Sequence, residues 1–154
     1  MAYLGTIDSG NGSGQAGSRS RQSYATADQL YACIGALFNR VLEESPDVEQ
    51  AILASGMVIH MRCTVPMAEF TLNGRRSPIQ TNYGPSSLRP DLDVELSADT
   101  LHRILMDELS TQKAAASKLL KIKGQVWKIS TLADLLTQGR AFYPQVLRGC
   151  GLAS

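Results

Sequence analysis

The stretch "DLDVELSADTLHRILMDEL", residues 91–109, changes its period part-way along. Leu92, Val94 and Leu96 alternate with Asp93 and Glu95, the period-2 pattern of a strand with one face buried. After "SAD", Leu101, Ile104, Leu105 and Leu109 recur at helical spacing. Ser97 fits the N-cap, and Asp99 places negative charge in the first turn, where the helix dipole favours it. A strand with a charged outer face thus feeds directly into a helix with a wide apolar face. That helix needs an apolar surface to cover.

Downstream, "STQKAAASKLL" predicts a short helix, being rich in strong helix formers. "KIKGQVWKIS" predicts a strand, with Ile122, Gly124 and Val126 on one side and Lys121, Lys123, Gln125 and Trp127 on the other. "TLADLLTQGRAFYPQVLRG" gives Leu132, Leu135, Leu136, Phe142, Tyr143, Val146 and Leu147 at helical spacing, with a bend or break expected near Pro144.

Upstream, Leu30, Cys33, Ile34, Leu37, Phe38, Val41 and Leu42 form one apolar stripe over "TADQLYACIGALFNRVLEES". Thr26 or Asp28 can cap its start, and Pro46 stops it. "SPDVEQAILASG" predicts a second helix, with Ser45 as cap, Pro46 at its first position and Gly56 in the left-handed position at its end. "MVIHMRCTV" is an amphipathic strand: Met57, Ile59, Met61, Cys63 and Val65 on one face, Val58, His60, Arg62 and Thr64 on the other. "AEFTLNGRRSPIQT" predicts two strands joined by Asn73-Gly74, the favoured type I′ pair, with Pro78 placing the second at an edge or bulge. "NYGPSSLRP" is a loop. Strands bunched together, most with one polar face, give an α+β domain whose helices lie on the other side of the sheet.

The chain of 154 residues is one domain's worth. Its 15 basic and 14 acidic residues, net +1, argue against non-specific nucleic-acid binding, which needs a clear basic excess. The same balance gives no overall pull toward anionic membrane and leaves room for a local patch. Cys33, Cys63 and Cys150 match neither a zinc site nor a disulfide framework, and read as two core thiols and one surface thiol in a reducing, cytoplasmic setting. No stretch reaches the length of a membrane span, and the first residues lack the apolar core of a signal peptide. Residues 1–23, rich in Gly and Ser, are expected to form a flexible tail, with the domain over 24–154.

The run "DLDVELSADTLHRILMDELSTQKAAASKLLKIKGQVWKIS" resembles the sterol carrier protein family of non-specific lipid-transfer domains. The resemblance is carried by Leu92, Val94, Leu96, Ala98, Asp99, Leu109, Ala114, Lys121, Ile122, Gly124, Leu132 and Leu135, with Pro66, Ala68, Phe70 and Asn73-Gly74 fitting the family's early hairpin. It covers residues 26–147 and rests on ordered elements and apolar positions, since the family has no catalytic signature. It implies a five-stranded, largely antiparallel sheet with helices packed on one face, enclosing a hydrophobic cavity for a fatty acyl chain, sterol or similar lipid. The terminal helix is longer than the family's short C-terminal segment. "GLAS" is no peroxisomal address, so a stand-alone, bacterial-type member is expected.

The expected lining of that cavity is Phe38, Met57, Ile59, Met61, Phe70, Leu101, Leu105, Met106, Leu109, Trp127, Leu132, Leu136 and Phe142. The apolar faces of residues 98–109 and 131–147 together exceed what one small sheet face needs, which is the residue-level argument for a void. Met57, Met61, Met67 and Met106 suit variable acyl shapes because Met is flexible and polarisable; the plainer reading is core filling. Trp127 has three readings: gate, anchor at a partner surface, or cover for the core's edge. His60 is expected on the solvent face, and neither it nor His102 has an acid or nucleophile at a recognisable catalytic spacing. "NGSG" at Asn11 is no phosphate loop, because no strand and helix flank it. No catalytic residue, metal or cofactor is expected. The partner is a hydrophobic small molecule or lipid, with no nucleic acid and no integral membrane association; a homodimer is left open. Two other functions fit the residues: a small cyclase or isomerase acting on a hydrophobic intermediate, and an assembly module using the terminal helix.

Overall fold

A computed structural model describes residues 24–151. The expected tail, 1–23, and the last three residues lie outside them. Helix α1 (Ala27–Glu44) starts where the Thr26 side chain accepts from Gln29 N, which settles its cap, and buries Leu30, Cys33, Ile34, Leu37, Phe38 and Val41. Helix α2 (Pro46–Ser55) ends on Gly56 at φ 62°, the left-handed position. The Ser45 side chain makes no cap bond; its hydroxyl turns to Gln138 Oε1 instead, 3.4 Å away.

Strand β1 (Val58–Thr64) pairs antiparallel with β2 (Ala68–Asn73), which pairs antiparallel with β3 (Gln80–Tyr83). Strand β4 (Leu92–Ser97) lies parallel to β1 on its other side, and β5 (Leu120–Gly124) runs antiparallel to β4 at the far edge. The order is β3-β2-β1-β4-β5. A parallel pair cannot be joined by a tight turn, so the β2–β3 hairpin and the 84–91 connection together carry the chain from β1 to β4. Helix α3 (Ala98–Leu105) follows β4 at once, capped by Ser97, whose hydroxyl accepts from Thr100 N. Then come α4 (Thr111–Ala116), β5, a 3-10 turn (Val126–Lys128), α5 (Ile129–Arg140) and α6 (Tyr143–Gly149). The inward residues of the sheet and of the helices that cover it form one core, with Ile59, Met61 and Cys63 beside Leu92, Val94 and Leu96 in register.

Several expectations need correction. The β2–β3 link is not a two-residue turn. Asn73 pairs with Gln80 as the last rung, leaving residues 74–79 as the loop, because Pro78 has no N–H for the ladder. Gly74 serves a different need: a Cβ there would sit 2.6 Å from the Met57 carbonyl oxygen. Strand β5 stops at Gly124, whose φ of 94° turns the chain against Asp91, so Val126 and Trp127 fall beyond the strand. Helix α3 ends at Leu105, and Asp107 at φ 61° turns the chain, so Leu109 lies outside the helix. The break expected near Pro144 is present: the terminal segment divides at Ala141–Phe142 into α5 and α6, leaving Phe142 between them. Val58, assigned to the open face, is fully buried, while Val65 and Met67 are 56% and 77% exposed in the β1–β2 turn.

The register of β1 makes a direct prediction. Met61 is 2% exposed on the helix-covered face, so Met61→Asp places an unpaired charge in the core and should abolish cooperative thermal unfolding. Arg62 faces the other way, in ion pairs with Asp93 and Glu95, and Arg62→Gln should change stability by no more than about 1 kcal/mol. Comparable melts for the two variants would refute this register.

Candidate functional site

Nine of the thirteen expected lining residues are fully interior. Phe38, Met57, Ile59, Met61, Phe70, Leu101, Leu105, Leu132 and Leu136 are each exposed by 2% or less, and Leu109 by 9%. All ten belong to one apolar cluster, with Met106 and Phe142 partly buried against it. Trp127 is set apart from them. It is 72% exposed on the 3-10 turn, so it does not cover the core's edge.

An open groove of about 420 Å³ lies where the end of α3 meets the α5–α6 break. Leu105, Met106, Thr137, Ala141 and Pro144 line it, together with Asp107 and Arg140. This is the junction of the two segments whose apolar faces the sequence shows to be in excess. Arg140 holds it together. Its Nε donates to the Ile104 carbonyl at 2.8 Å, a second nitrogen donates to the Leu109 carbonyl at 3.3 Å, and the third lies 3.0 Å from Asp107 Oδ1. The guanidinium thus bonds one carbonyl in the last turn of α3 and one beyond its end, and fixes the 106–109 turn against α5. Gly139 allows the close approach beneath: a Cβ there would lie 3.3 Å from Leu37 and 3.4 Å from Leu105. A second groove, of about 430 Å³, is lined by Asn39, Glu43 and Glu49 beside Leu42, Pro78 and Ile79, a more polar wall.

One turn before Met106 on α3 stands His102, and here sequence reasoning missed a cluster. His102 Nδ1 lies 2.7 Å from the Tyr143 hydroxyl, which lies 2.6 Å from the Tyr24 hydroxyl, which donates to Cys33 Sγ at 3.5 Å. Both tyrosines are fully buried. With the one Tyr24 proton donated to Cys33, Tyr143 donates to Tyr24 and a His102 Nδ1–H donates to Tyr143; the reverse row, Tyr143 donating to His102, has Tyr24 donating to Tyr143 and accepting from the Cys33 thiol instead. Burial raises both phenols well above the ordinary tyrosine range, so they stay neutral. Burial likewise raises the Cys33 thiol, and pushes Cys63 up to about 12, which leaves both as inert thiols. Cys150, expected at the surface, is half-buried against the core, and its thiol adds to the rise of Cys33. The one sequence signal for this cluster was His102 beside the apolar stripe of α3; its partner lies 41 residues away, beyond any periodic pattern.

On the opposite, outer face of the sheet, His60 is tied between two carboxylates rather than free in solvent. Its Nε2 lies 2.9 Å from Glu69 and its Nδ1 3.4 Å from Asp93, with 16% of its side chain exposed. Among the described residues no cluster of three or more His, Cys, Asp or Glu side chains could hold a metal ion, and no helix is long and apolar enough to cross a membrane.

The family model described as "SCP-2 sterol transfer family" matches residues 38–137. Among curated proteins none matches the chain. Solved structures resemble it in fold. The sterol carrier protein domain 2 of Helicoverpa armigera aligns at a TM-score of 0.61 with 14% identity, over 79% of this chain and 96% of that one. Sterol carrier protein 2 from Yarrowia lipolytica, in its apo form, aligns at 0.56 with 16% identity, over 70% and 89%. A conserved hypothetical protein of Thermus thermophilus, titled as possibly a sterol carrier protein, aligns at 0.52 with 17% identity, over 82% and 92%.

Burial holds the His102 imidazole below its ordinary pKa, outweighing the opposite pull of Glu108 and Asp99. The folded protein therefore binds the proton less readily than the unfolded chain does. Its contribution to stability is complete above the unfolded value of about 6.5 and is lost as pH falls through that value toward the folded one. Thermal melts should show the melting temperature falling over that window, with a shallower fall in His102→Gln. An equal slope in both proteins would show that His102 does not report on this site.

Proposed function

We propose, since the chain belongs to the SCP-2 sterol transfer family, that it binds a long apolar ligand, a fatty acyl chain or fatty acyl thioester, and carries it rather than transforming it. The observation that carries this reading is the groove at the junction of α3, α5 and α6, whose floor is Leu105 and Met106. Both were expected to line the ligand site. The groove leads from solvent to the apolar cluster that holds Met61, Leu101, Leu132 and Leu136. An acyl chain entering here would part α3 from α5 and lie among these side chains, with the flexible methionines taking up its shape. Arg140, at the mouth, offers a cation to a carboxylate or phosphate head group.

A small enzyme on the same scaffold is favoured by one observation, the His102–Tyr143 pair one turn from Met106. Native mass spectrometry of whatever copurifies separates the two readings. The same ligand mass from wild type and His102→Ala supports a carrier, and a different mass supports a reaction at His102.

Titration with a fluorescent fatty acid should give saturable binding in the micromolar range, ~8 kcal/mol of affinity. Met106 is half-buried, so Met106→Asp should keep the fold and weaken binding at least ~10-fold by placing a charge in an apolar wall. Leu105→Trp should also weaken it, with less than the ~1–3 kcal/mol of destabilisation that overpacking a closed core brings. No saturable binding by the wild type would end the carrier reading.

A further inference from the structure

All five lysines of the chain, Lys113, Lys118, Lys121, Lys123 and Lys128, fall within residues 113–128. The same span holds the only tryptophan, Trp127, and no acidic residue occurs from Ser110 to Ala133. The chain's net charge is +1, so this span at +5 leaves the rest at −4. In the fold the span is α4, the edge strand β5 and the 3-10 turn, consecutive elements on the open edge of the sheet. Lys113, Lys118, Lys121 and Lys123 are exposed. None of the five takes part in an ion pair among the described residues, whereas Arg40, Arg62, Arg75 and Arg140 all do. The carboxylates nearest in register, Asp93 opposite Lys123 and Glu95 opposite Lys121, are already held by Arg62.

Lysines on an edge strand are commonly a guard against sheet-to-sheet association. That role does not account for the apolar groups beside them. Leu119 is 42% exposed, Val126 46% and Trp127 72%, three of the seven exposed large apolar side chains in the described structure. A guarded edge would not carry an exposed Trp. Unpaired lysines around exposed Trp and aliphatic side chains match the two layers of a bilayer surface, where phosphates attract the ammonium groups and the indole settles at the head-group level. A nucleic acid is matched less well, since the patch has no arginine for bidentate phosphate or base contacts and only one aromatic ring for stacking.

We propose that α4, β5 and the 126–128 turn form a docking surface for anionic phospholipid bilayers, with Trp127 as the seated anchor and the five lysines as the electrostatic contact. The surface shares no residue with the lining of the α3–α5–α6 groove and does not depend on what that groove binds.

Trp127, as the only tryptophan, makes intrinsic fluorescence a probe of this surface alone. Vesicles of phosphatidylcholine mixed equally with phosphatidylglycerol should shift its emission to the blue and shield it from iodide. Pure phosphatidylcholine vesicles should not. Roughly 0.5 M salt should reverse the shift, since screening then acts within a few Å. Lys121→Gln with Lys123→Gln should weaken vesicle binding ~25-fold, about fivefold for each lysine. Trp127→Ala, followed by sedimentation with the same vesicles, should bind more weakly at an unchanged melting temperature, as expected of exposed side chains. Equal binding to both vesicle types, no binding to the anionic ones, or an undiminished affinity in the double lysine variant would overturn the proposal. So would tight binding of a single-stranded oligonucleotide by a protein that ignores the vesicles, which would assign the patch to nucleic acid.

Discussion

One face of one sheet has to be kept from water, and the placement of every helix follows from that. At the centre of the sheet Ile59, Met61 and Cys63 lie beside Leu92, Val94 and Leu96, six apolar side chains in two adjacent rows. Each is worth roughly 1.5–3 kcal/mol when fully covered, and no strand can cover them. Helix α1 supplies Leu37 and Phe38, α3 supplies Leu101 and Leu105, and α5 supplies Leu132 and Leu136. The roof needs fixing as well as packing, and Arg140 ties the end of α3 to α5 through two backbone carbonyls. The aromatic group of Tyr31, Phe38, Phe70 and Tyr83, with ring centroids 5.3–6.1 Å apart, fixes α1 to β2 and β3 in the same way.

The alternation that builds the covered face also builds the charged one. His60 stands opposite Asp93 and Arg62 opposite Glu95 in the parallel β1–β4 register, so the outward side chains of two neighbouring strands become ion-paired neighbours. These pairs are partly exposed and contribute little stability each. They do specify register, because a slip of one residue would bring Met61 out among them and send Arg62 into the roof. The Tyr24–Tyr143–His102 row does the equivalent for the helix layer. With Cys33 of α1 bonded to Tyr24, it is a polar contact that α1, α3 and α6 share, in a setting where an unmade hydrogen bond is costly.

Period carried most of the fold into the sequence. The strands at 58–64 and 92–97, the Ser97 cap, the stripe of α1 and the Gly56 stop are all legible because each follows from local geometry. Reading failed where two local rules compete. Asn73-Gly74 is a strong turn signal, but Pro78 denies the ladder its next rungs, and Gly74 is needed to clear Met57. In "KIKGQVWK" the alternation runs on through Gly124, although a glycine inside a strand pattern often marks where the strand turns away. Leu105 and Met106, which line the α3–α5–α6 groove, stand out in the sequence because apolar excess can be counted along a helix. The Tyr24–Tyr143–His102 row does not, because its members pair across 119 and 41 residues.

Magnitudes say how the α3–α5–α6 groove would have to work for the proposed ligand. Micromolar affinity needs ~8 kcal/mol net, and association itself sets at least ~4 kcal/mol against it. At ~0.8 kcal/mol per buried methylene, about fifteen methylenes must leave water entirely. An open groove covers one side of a chain and leaves the other wet, which secures roughly half of that. The acyl chain must therefore go beneath the surface, between α3 and α5, where Leu105 now meets Leu37 across Gly139. Two features suit that junction to parting: α3 ends early at Leu105, and the chain breaks between α5 and α6 at Ala141–Phe142. Releasing Arg140 from Ile104, Leu109 and Asp107 frees its guanidinium for an anionic head group as the chain enters, so the contacts that close the roof are also the ones an acyl carboxylate can replace.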